Sequence, residues 1–364
     1  MRPSLWPTTE QLLLLRAALS DGDEALEAFA EWRRRVDYEH VLDGGSFRML
    51  PLAHANMIRL GCTDPVLTRL GGVYRHSWCT VQHRTRLAAE TVSLLKAQGI
   101  PVLIAKGLPI ALDYYASPGL RPMSDIDLVV PREQALAALA LLEAQGWRMA
   151  DSEITRRVRE RPEDMLAMQC ALPLTGPGGA EIDLHWRMIA ECARAEAEQR
   201  FWRDAEPLAV EGAEALRPSP THLLFHVIVH GLKPDPLPAI RWVADATMIL
   251  RRDAARIDWR EMATLARDAR VRRRLGQGIA YLRDTMRIPL PEAALPLIAA
   301  RPCWVERIEQ RAFNVRMARN PVGKLRLETA TSLARMAVGS RRGYMPGLAA
   351  RWLGRRLQRL VQPA

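Results

Sequence analysis

Cysteine is scarce in this chain and is not arranged for use. The five cysteines, Cys62, Cys79, Cys170, Cys192 and Cys303, are odd in number and scattered, with no Cys-x-x-Cys pair. A disulfide framework needs partners and a structural zinc needs closely spaced thiolates, so reduced thiols are expected instead. Long apolar runs are missing as well. No stretch approaches the roughly 20 residues needed to span a bilayer. The start of the chain, where Asp21, Asp23, Glu24 and Glu27 follow a polar opening, lacks the pattern of a signal peptide. These absences point to a cytoplasmic location. There is no internal repeat and no long low-complexity tract.

What is present describes a folded chain: 364 residues, 48% hydrophobic and 26% charged, long enough for two or three packed units. The formal charge of +11 is unevenly placed. From residue 321 onward, nine basic residues (Lys324, Arg326, Arg335, Arg341, Arg342, Arg351, Arg355, Arg356, Arg359) face Glu328 alone, a net of +8. Leu348, Trp352, Leu353, Leu357, Leu360 and Val361 make the last stretch a basic amphipathic helix. In a chain this rich in arginine, such a helix is expected to dock its apolar stripe on the body. Nucleic acid or an anionic membrane surface is the alternative partner for the tail.

The informative stretch is Arg121-Pro122-Met123-Ser124-Asp125-Ile126-Asp127-Leu128-Val129-Val130. Alternate strand residues face the same way, so Asp125 and Asp127 point together, roughly 7 Å apart along the backbone. Two acids held in this manner can converge on a hard divalent cation, the arrangement of metal-assisted phosphoryl or nucleotidyl transfer. An isolated Asp-x-Asp is more often a strand entry facing water, and its neighbours shift that balance. Upstream, Ile100-Pro101-Val102-Leu103-Ile104-Ala105 reads as a short buried strand, followed by Lys106-Gly107 and a helix beginning near Leu108-Pro109. Backbone amides at such a helix start can receive a phosphate, with the Lys106 charge beside them. The P-loop spacing is absent. Downstream, Ala180-Glu181-Ile182-Asp183-Leu184-His185-Trp186 alternates in strand fashion after a Gly176-Pro177-Gly178-Gly179 turn, so Glu181, Asp183 and His185 share a face. If this strand lies beside the first, Asp183 becomes a third carboxylate, placed to complete a metal site or to activate an acceptor hydroxyl.

On these residues the chain resembles the uncharacterised bacterial nucleotidyltransferases of the DNA polymerase beta-like superfamily. The resemblance rests on Leu103-Ile104-Ala105-Lys106-Gly107, on residues 115–118, on the block from Arg121 to Val130 and on Glu181-Ile182-Asp183-Leu184-His185-Trp186. It continues more weakly through residues 223–230 and Arg241-Trp242-Val243-Ala244-Asp245. It implies an α+β fold, with a small mixed-sheet core flanked by helical regions, binding a nucleoside triphosphate, ATP by expectation, with Mg²⁺ or Mn²⁺. Asp125 and Asp127 match the metal-binding pair, Asp183 the third acid, and Lys106 and Gly107 the turn against the triphosphate. Many superfamily members carry Gly-Ser where this chain has Lys-Gly, and the segment from Gly107 to Asp125 is longer than in minimal members. Arg121 is expected to help neutralise the triphosphate. Ser124 and His185 are second-tier positions, a turn hydroxyl and a packed strand histidine being equally good readings.

Along the chain, three regions are expected: an α-helical N-terminal region over residues 1–98, a catalytic core over 99–216, and a helical C-terminal region over 217–364 with the basic tail. Helices are expected over residues 10–35, over 75–98 closed by Gly99, and from Pro131 to Gly146. Strands or a hairpin are expected between Trp147 and Pro173. A helical half follows Pro218-Ser219-Pro220, with a proline-rich break at 234–238. His222, His226 and His230 form an i, i+4, i+8 row spanning roughly 12 Å. One ion could take at most two of them, so histidines lining a helix contact or a cleft are preferred to a metal site. Asp245 reads as a buried acid paired with Arg241 or a histidine. The leading function is nucleoside monophosphate transfer to a small molecule, peptide or protein. An Asp-x-Asp glycosyltransferase using a nucleotide sugar, or a non-catalytic nucleotide-binding pseudoenzyme, are the alternatives. Neither the acceptor nor the oligomeric state is legible.

Overall fold

The computed structural model describes residues 6–38, 42–149, 159–160, 162–163, 166, 169–189, 195–233, 240–307 and 310. The amphipathic tail, the proline-rich break at 234–238, Cys192 and most of the segment between residues 150 and 168 lie outside the described residues. Four helices come first: α1 (Thr9–Leu19), α2 (Gly22–Arg35), α3 (Gly44–Arg59) and α4 (Val66–Ala97). The single helix expected over residues 10–35 is two. Thr8 caps α1 in a reciprocal box with Gln11, and the chain turns extended at Ser20 and Asp21 before Gly22 starts again with a positive φ of 56°. The helix expected from residue 75 starts at Val66 instead.

Seven strands form one mixed sheet: β1 (Leu103–Ala105), β2 (Ile126–Val129), β3 (Arg148–Met149), β4 (Ala171–Thr175), β5 (Glu181–His185), β6 (Glu206–Val210) and β7 (Ala213–Arg217). Their order is β3-β4-β5-β2-β1-β7-β6. β1 runs antiparallel to β2 and parallel to β7, while β2 runs parallel to β5 with Asp127 opposite Asp183. Between β1 and β2 lie α5 (Gly107–Tyr114) and a single 3₁₀ turn at Pro118–Leu120. The helix after β2, α6 (Ala135–Ala144), is preceded by a 3₁₀ turn at Arg132–Gln134.

The β6–β7 hairpin lies outside the strands expected from the sequence. Its two connecting residues, Glu211 (φ 44°) and Gly212 (φ 85°), both have positive φ. Such tight two-residue connections match the right-handed twist of a strand pair. β7 inserts beside β1 and so extends the sheet on the side away from the acids.

Alternation along the strands sorts two cores. Ile104, Ile126, Leu128, Ile182 and Leu184 point to one face, where the second half of α4 (Val81, Ala88, Val92, Leu95) and α6 (Ala138, Leu142) cover them. Leu103, Ala105 and Val129 point to the other face. There they join a core shared by the N-terminal helices and by α7 (Ala195–Arg203), α8 (Pro220–Gly231), α9 (Arg241–Asp253), α10 (Trp259–Asp268) and α11 (Arg272–Asp284). A further short helix, α12 (Leu295–Ile298), follows. Asp127, Asp183 and His185 belong to this second face by the same alternation. At the end of α8 a Cβ on Gly231 would lie 2.3 Å from Trp242 atoms. Only glycine lets the start of α9 approach so closely there, beside the sheet face that carries the acids.

α7 is tied to the end of β5 by one half-buried residue whose carboxyl group is turned inward. Glu198 accepts the Met188 backbone N–H at 2.9 and 3.1 Å. Burial pushes its carboxyl up to about 7, against the pull of the Met188 and Ile189 amides. Because that value lies above the ordinary 4.5, the folded state binds the proton more tightly. The contribution of Glu198 to stability is therefore complete below pH 4.5 and is lost as pH rises through about 7. Urea unfolding should show wild type losing up to about 3 kcal/mol relative to Glu198→Gln across that window. Parallel pH profiles for the two proteins would refute the assignment.

Candidate functional site

The three-residue β1 delivers the chain to Lys106, whose backbone takes φ 50° and ψ −107°, a region that favours glycine. That turn opens α5 at Gly107 directly, and Lys106 occupies the N-cap without a side-chain cap bond. The first amides of a helix have no intrahelical acceptor, so the entrance to α5 offers donors and the positive end of its dipole. Pro109 has no amide to offer and suits the first turn.

The Lys106 side chain reaches back across the sheet end. Its ammonium donates to Asp127 Oδ1 and lies 3.4 Å from His185 Nε2, which is itself 3.0 Å from the same Asp127 oxygen. Burial alone would raise the Asp127 carboxyl, yet the His185 hydrogen bond and the Lys106 charge outweigh it and hold the group far below the carboxylate range. Asp183, one strand away, is shifted the opposite way. Burial and then the negative charge of Asp127 push it up.

Asp127, Asp183 and His185 each present a ligand atom within 4.8 Å of the others, the one such group among the described residues. Asp125, one residue before β2, lines the same cavity but stands outside this cluster. Two carboxylates and an imidazole, one acid raised by its neighbour's charge, form a donor set suited to a divalent cation.

A cavity of about 240 Å³ gathers Lys106, Gly107, Arg121, Asp125, Asp127 and Asp183 with Arg48 of α3, His226 and His230 of α8, and Arg241 and Asp245 of α9. Ser124 does not line it. Its hydroxyl bonds Asp125 Oδ1 at 3.2 Å and its carbonyl accepts from Arg84. The histidine row divides: His226 and His230 reach the cavity, while His222 packs on Phe201 at 4.4 Å between ring centroids. Burial pushes His222 down to about 4, and His226 well below its ordinary value, the latter with help from His230.

The partner expected for Asp245 is replaced by another. Asp245 takes Arg121 bidentately, Nε at 2.8 Å and Nη2 at 2.7 Å, and accepts the Tyr115 hydroxyl at 2.9 Å. Arg241, one helical turn before Asp245, donates to the Pro122 carbonyl instead. Arg121 and Asp245 are each about 3% exposed. Burial pulls the Arg121 guanidinium down, but Asp245 overcomes this and carries it above its ordinary value. Burial and Asp245 likewise keep the Tyr115 phenol protonated and donating. Arg121 Nη1 has no partner among the described residues, and a Cβ on Gly107 would come within 2.9 Å of it. The absent side chain at Gly107 is what seats this guanidinium under the turn. No local spacing signals the bond, since its partners are 124 residues apart.

Register-paired acids on parallel strands stand beside a helix entrance and a lysine. The chain belongs to the family described as uncharacterised nucleotidyltransferase, which matches residues 47–287. Among solved structures it is similar to ANT(2")-Ia in complex with adenylyl-2"-tobramycin, at 16% identity over 52% of this chain and 98% of that one, with a TM-score of 0.36. It is also similar to an antigenic nucleotidyltransferase-like protein from Paracoccidioides brasiliensis, at 18% identity over 61% of this chain and 94% of that one, with a TM-score of 0.29. No curated protein matches the chain significantly. No helix among the described residues is long and apolar enough to cross a membrane.

Removing Asp245 with alanine leaves the Arg121 charge buried and unmatched, and unfolding should become easier by about 3–5 kcal/mol. Tyr115→Phe, which deletes one hydrogen bond to the same carboxylate, should cost only about 1–2 kcal/mol. Denaturant melts of the two variants check the order, and equal small losses would show that the pair does not anchor the site.

Proposed function

We propose that the protein transfers a nucleoside monophosphate from a nucleoside triphosphate, with ATP the expected donor, to a hydroxyl-bearing acceptor, using Mg²⁺ or Mn²⁺. The observation that carries this reading is the pairing of Asp127 with Asp183 on adjacent parallel strands, with Asp125 on the same cavity and the α5 entrance beside them. Asp125, Asp127 and Asp183 would hold the divalent ion, with His185 fixing Asp127 from behind. When bound, the ion supplies charge neutralisation for the attacking and leaving oxygens of an in-line displacement.

The chain's own groups do the rest. Lys106, the Gly107 turn and Arg121 Nη1 orient the triphosphate through directed N–H donors. The acceptor oxygen attacks the α-phosphorus, the bond from that phosphorus to the α,β-bridging oxygen breaks, and pyrophosphate leaves with the bond's electron pair. Asp183, the carboxylate that neither Lys106 nor His185 bonds, takes the acceptor's proton and passes it to solvent. Membership of the nucleotidyltransferase family favours this reading over a glycosyltransferase, which would need neither Asp183 nor the Lys106-Gly107 turn.

Calorimetry with each nucleoside triphosphate and several nucleotide sugars, with and without Mg²⁺ or Mn²⁺, tests the donor. Triphosphate binding should require the metal, and Asp125→Asn/Asp127→Asn should weaken it or any pyrophosphate release by roughly 10²–10³-fold, the scale of deleting an electrostatic stabiliser. Asp183→Asn should spare donor binding more than turnover. Preferential binding of a nucleotide sugar would transfer the assignment to the glycosyltransferase class. Tight triphosphate binding indifferent to metal and to the aspartates would indicate a non-catalytic nucleotide-binding protein.

A further inference from the structure

Four cationic side chains and four carboxylates line the cavity, and they are not evenly mixed. Lys106 is bonded to Asp127 and Arg121 is clasped by Asp245, so these charges cancel in pairs. What remains is segregated: Asp125 and Asp183 at the sheet end, Arg48 and Arg241 on α3 and α9. Arg48 is exposed and makes no ion pair among the described residues. Arg241 gives its Nη1 to the Pro122 carbonyl and has no carboxylate within ion-pair distance among the described residues. Burial, followed by the charge of Arg121 and against the pull of Asp245, pushes its guanidinium down to about 10. His226 and His230 extend the same wall.

Arg241 is desolvated and feels the like charges of Arg121 and Arg48 against the pull of Asp245, which Arg121 already engages, and an anion between Arg48 and Arg241 relieves that cost. Their fork geometry suits the oxygens of a phosphate or carboxylate. We infer that Arg48 and Arg241 form an anion subsite for the acceptor, which therefore carries a phosphate or carboxylate group. This inference rests on the nucleotidyltransferase reading above, in which Lys106, Gly107 and Arg121 Nη1 already face the donor's phosphates. Arg48 and Arg241 come from helices outside that strand, turn and helix unit, where a second substrate would be recognised. A polycationic acceptor would meet like charge on this wall and be disfavoured.

The test uses inorganic phosphate as the probe, titrated calorimetrically into the full chain alone and with a saturating non-hydrolysable ATP analogue and Mg²⁺. Phosphate should still bind in the presence of the analogue. Arg241→Gln and Arg48→Gln should each weaken it roughly tenfold, the loss of one charge-assisted contact, while Arg48→Gln, which touches none of the bonds that hold residues 115–122, should change analogue affinity less than about twofold. Arg48 is exposed, so its substitution keeps the test clear of folding defects. Displacement of phosphate by the analogue, or equal loss of both ligands in Arg48→Gln, would give these arginines to the donor and overturn the inference. Absence of phosphate binding in wild type would overturn it as well. If phosphate binds with the stated arginine dependence but the analogue binds under no condition, the anion subsite is supported and the donor assignment is what fails.

Discussion

The buried pair between Arg121 and Asp245 is the constraint on which the site's geometry depends. β2 has only four residues, and Asp125 lies just outside it, so the strand ladder alone fixes little of the approach to the acids. The approach is instead held from behind. Two guanidinium bonds, the Tyr115 hydroxyl and the Arg241 bond to Pro122 fasten residues 115–122 to α9. Such a pair is costly to desolvate and is a poor source of net stability, but neither partner can leave without stranding the other. It therefore specifies position. Gly107 is part of the same arrangement, since any larger residue would collide with the guanidinium that the loop has been built to hold.

Two acids of the same type, on the same face and in register, are driven apart by their surroundings. Asp127 has Lys106 and His185 within bonding distance and stays ionised, whereas Asp183 has mainly burial and the charge of Asp127 to contend with. The difference originates in the Lys106 turn. A non-glycine residue in that backbone region carries strain of order 1–3 kcal/mol, which persists only where the surroundings over-determine it. The ion pair with Asp127 and the immediate start of α5 supply that determination, and the strain positions a charge and a helix entrance together.

Much of this was legible locally and some of it was not. Period-two alternation identifies β2 and β5, and with them the side of the sheet to which Asp127, Asp183 and His185 belong. Register is non-local: nothing in either segment states that Asp127 stands opposite Asp183, because parallel pairing is set by the packing of both faces. The β6–β7 hairpin left a trace in Glu211-Gly212, but Glu211 is not a residue that advertises a positive φ. The pairing of Asp245 is not legible locally, because helical spacing offers Arg241 four residues earlier, a weak i, i+4 contact at best. The tertiary bond to Arg121 wins since burial multiplies the value of a bidentate, desolvated pair over a solvated neighbour.

On the proposed reading, the way charge is divided in the cleft also explains why cations would have to accompany the donor. Asp125 and Asp183 confront an incoming triphosphate with like charge, and the fixed cations nearest them are already engaged. Lys106 is bonded to Asp127, and Arg121 keeps only Nη1 free of Asp245. Arg48 and Arg241 cannot substitute, because a guanidinium fork offers directional donors and cannot bring several carboxylate and phosphate oxygens into one coordination shell. A small divalent ion can, and the acids at the sheet end supply oxygen ligands that the arginine wall lacks. The same partition leaves that wall for a second anion, so the segregation that makes the donor dependent on metal also gives the acceptor a distinct place to be recognised.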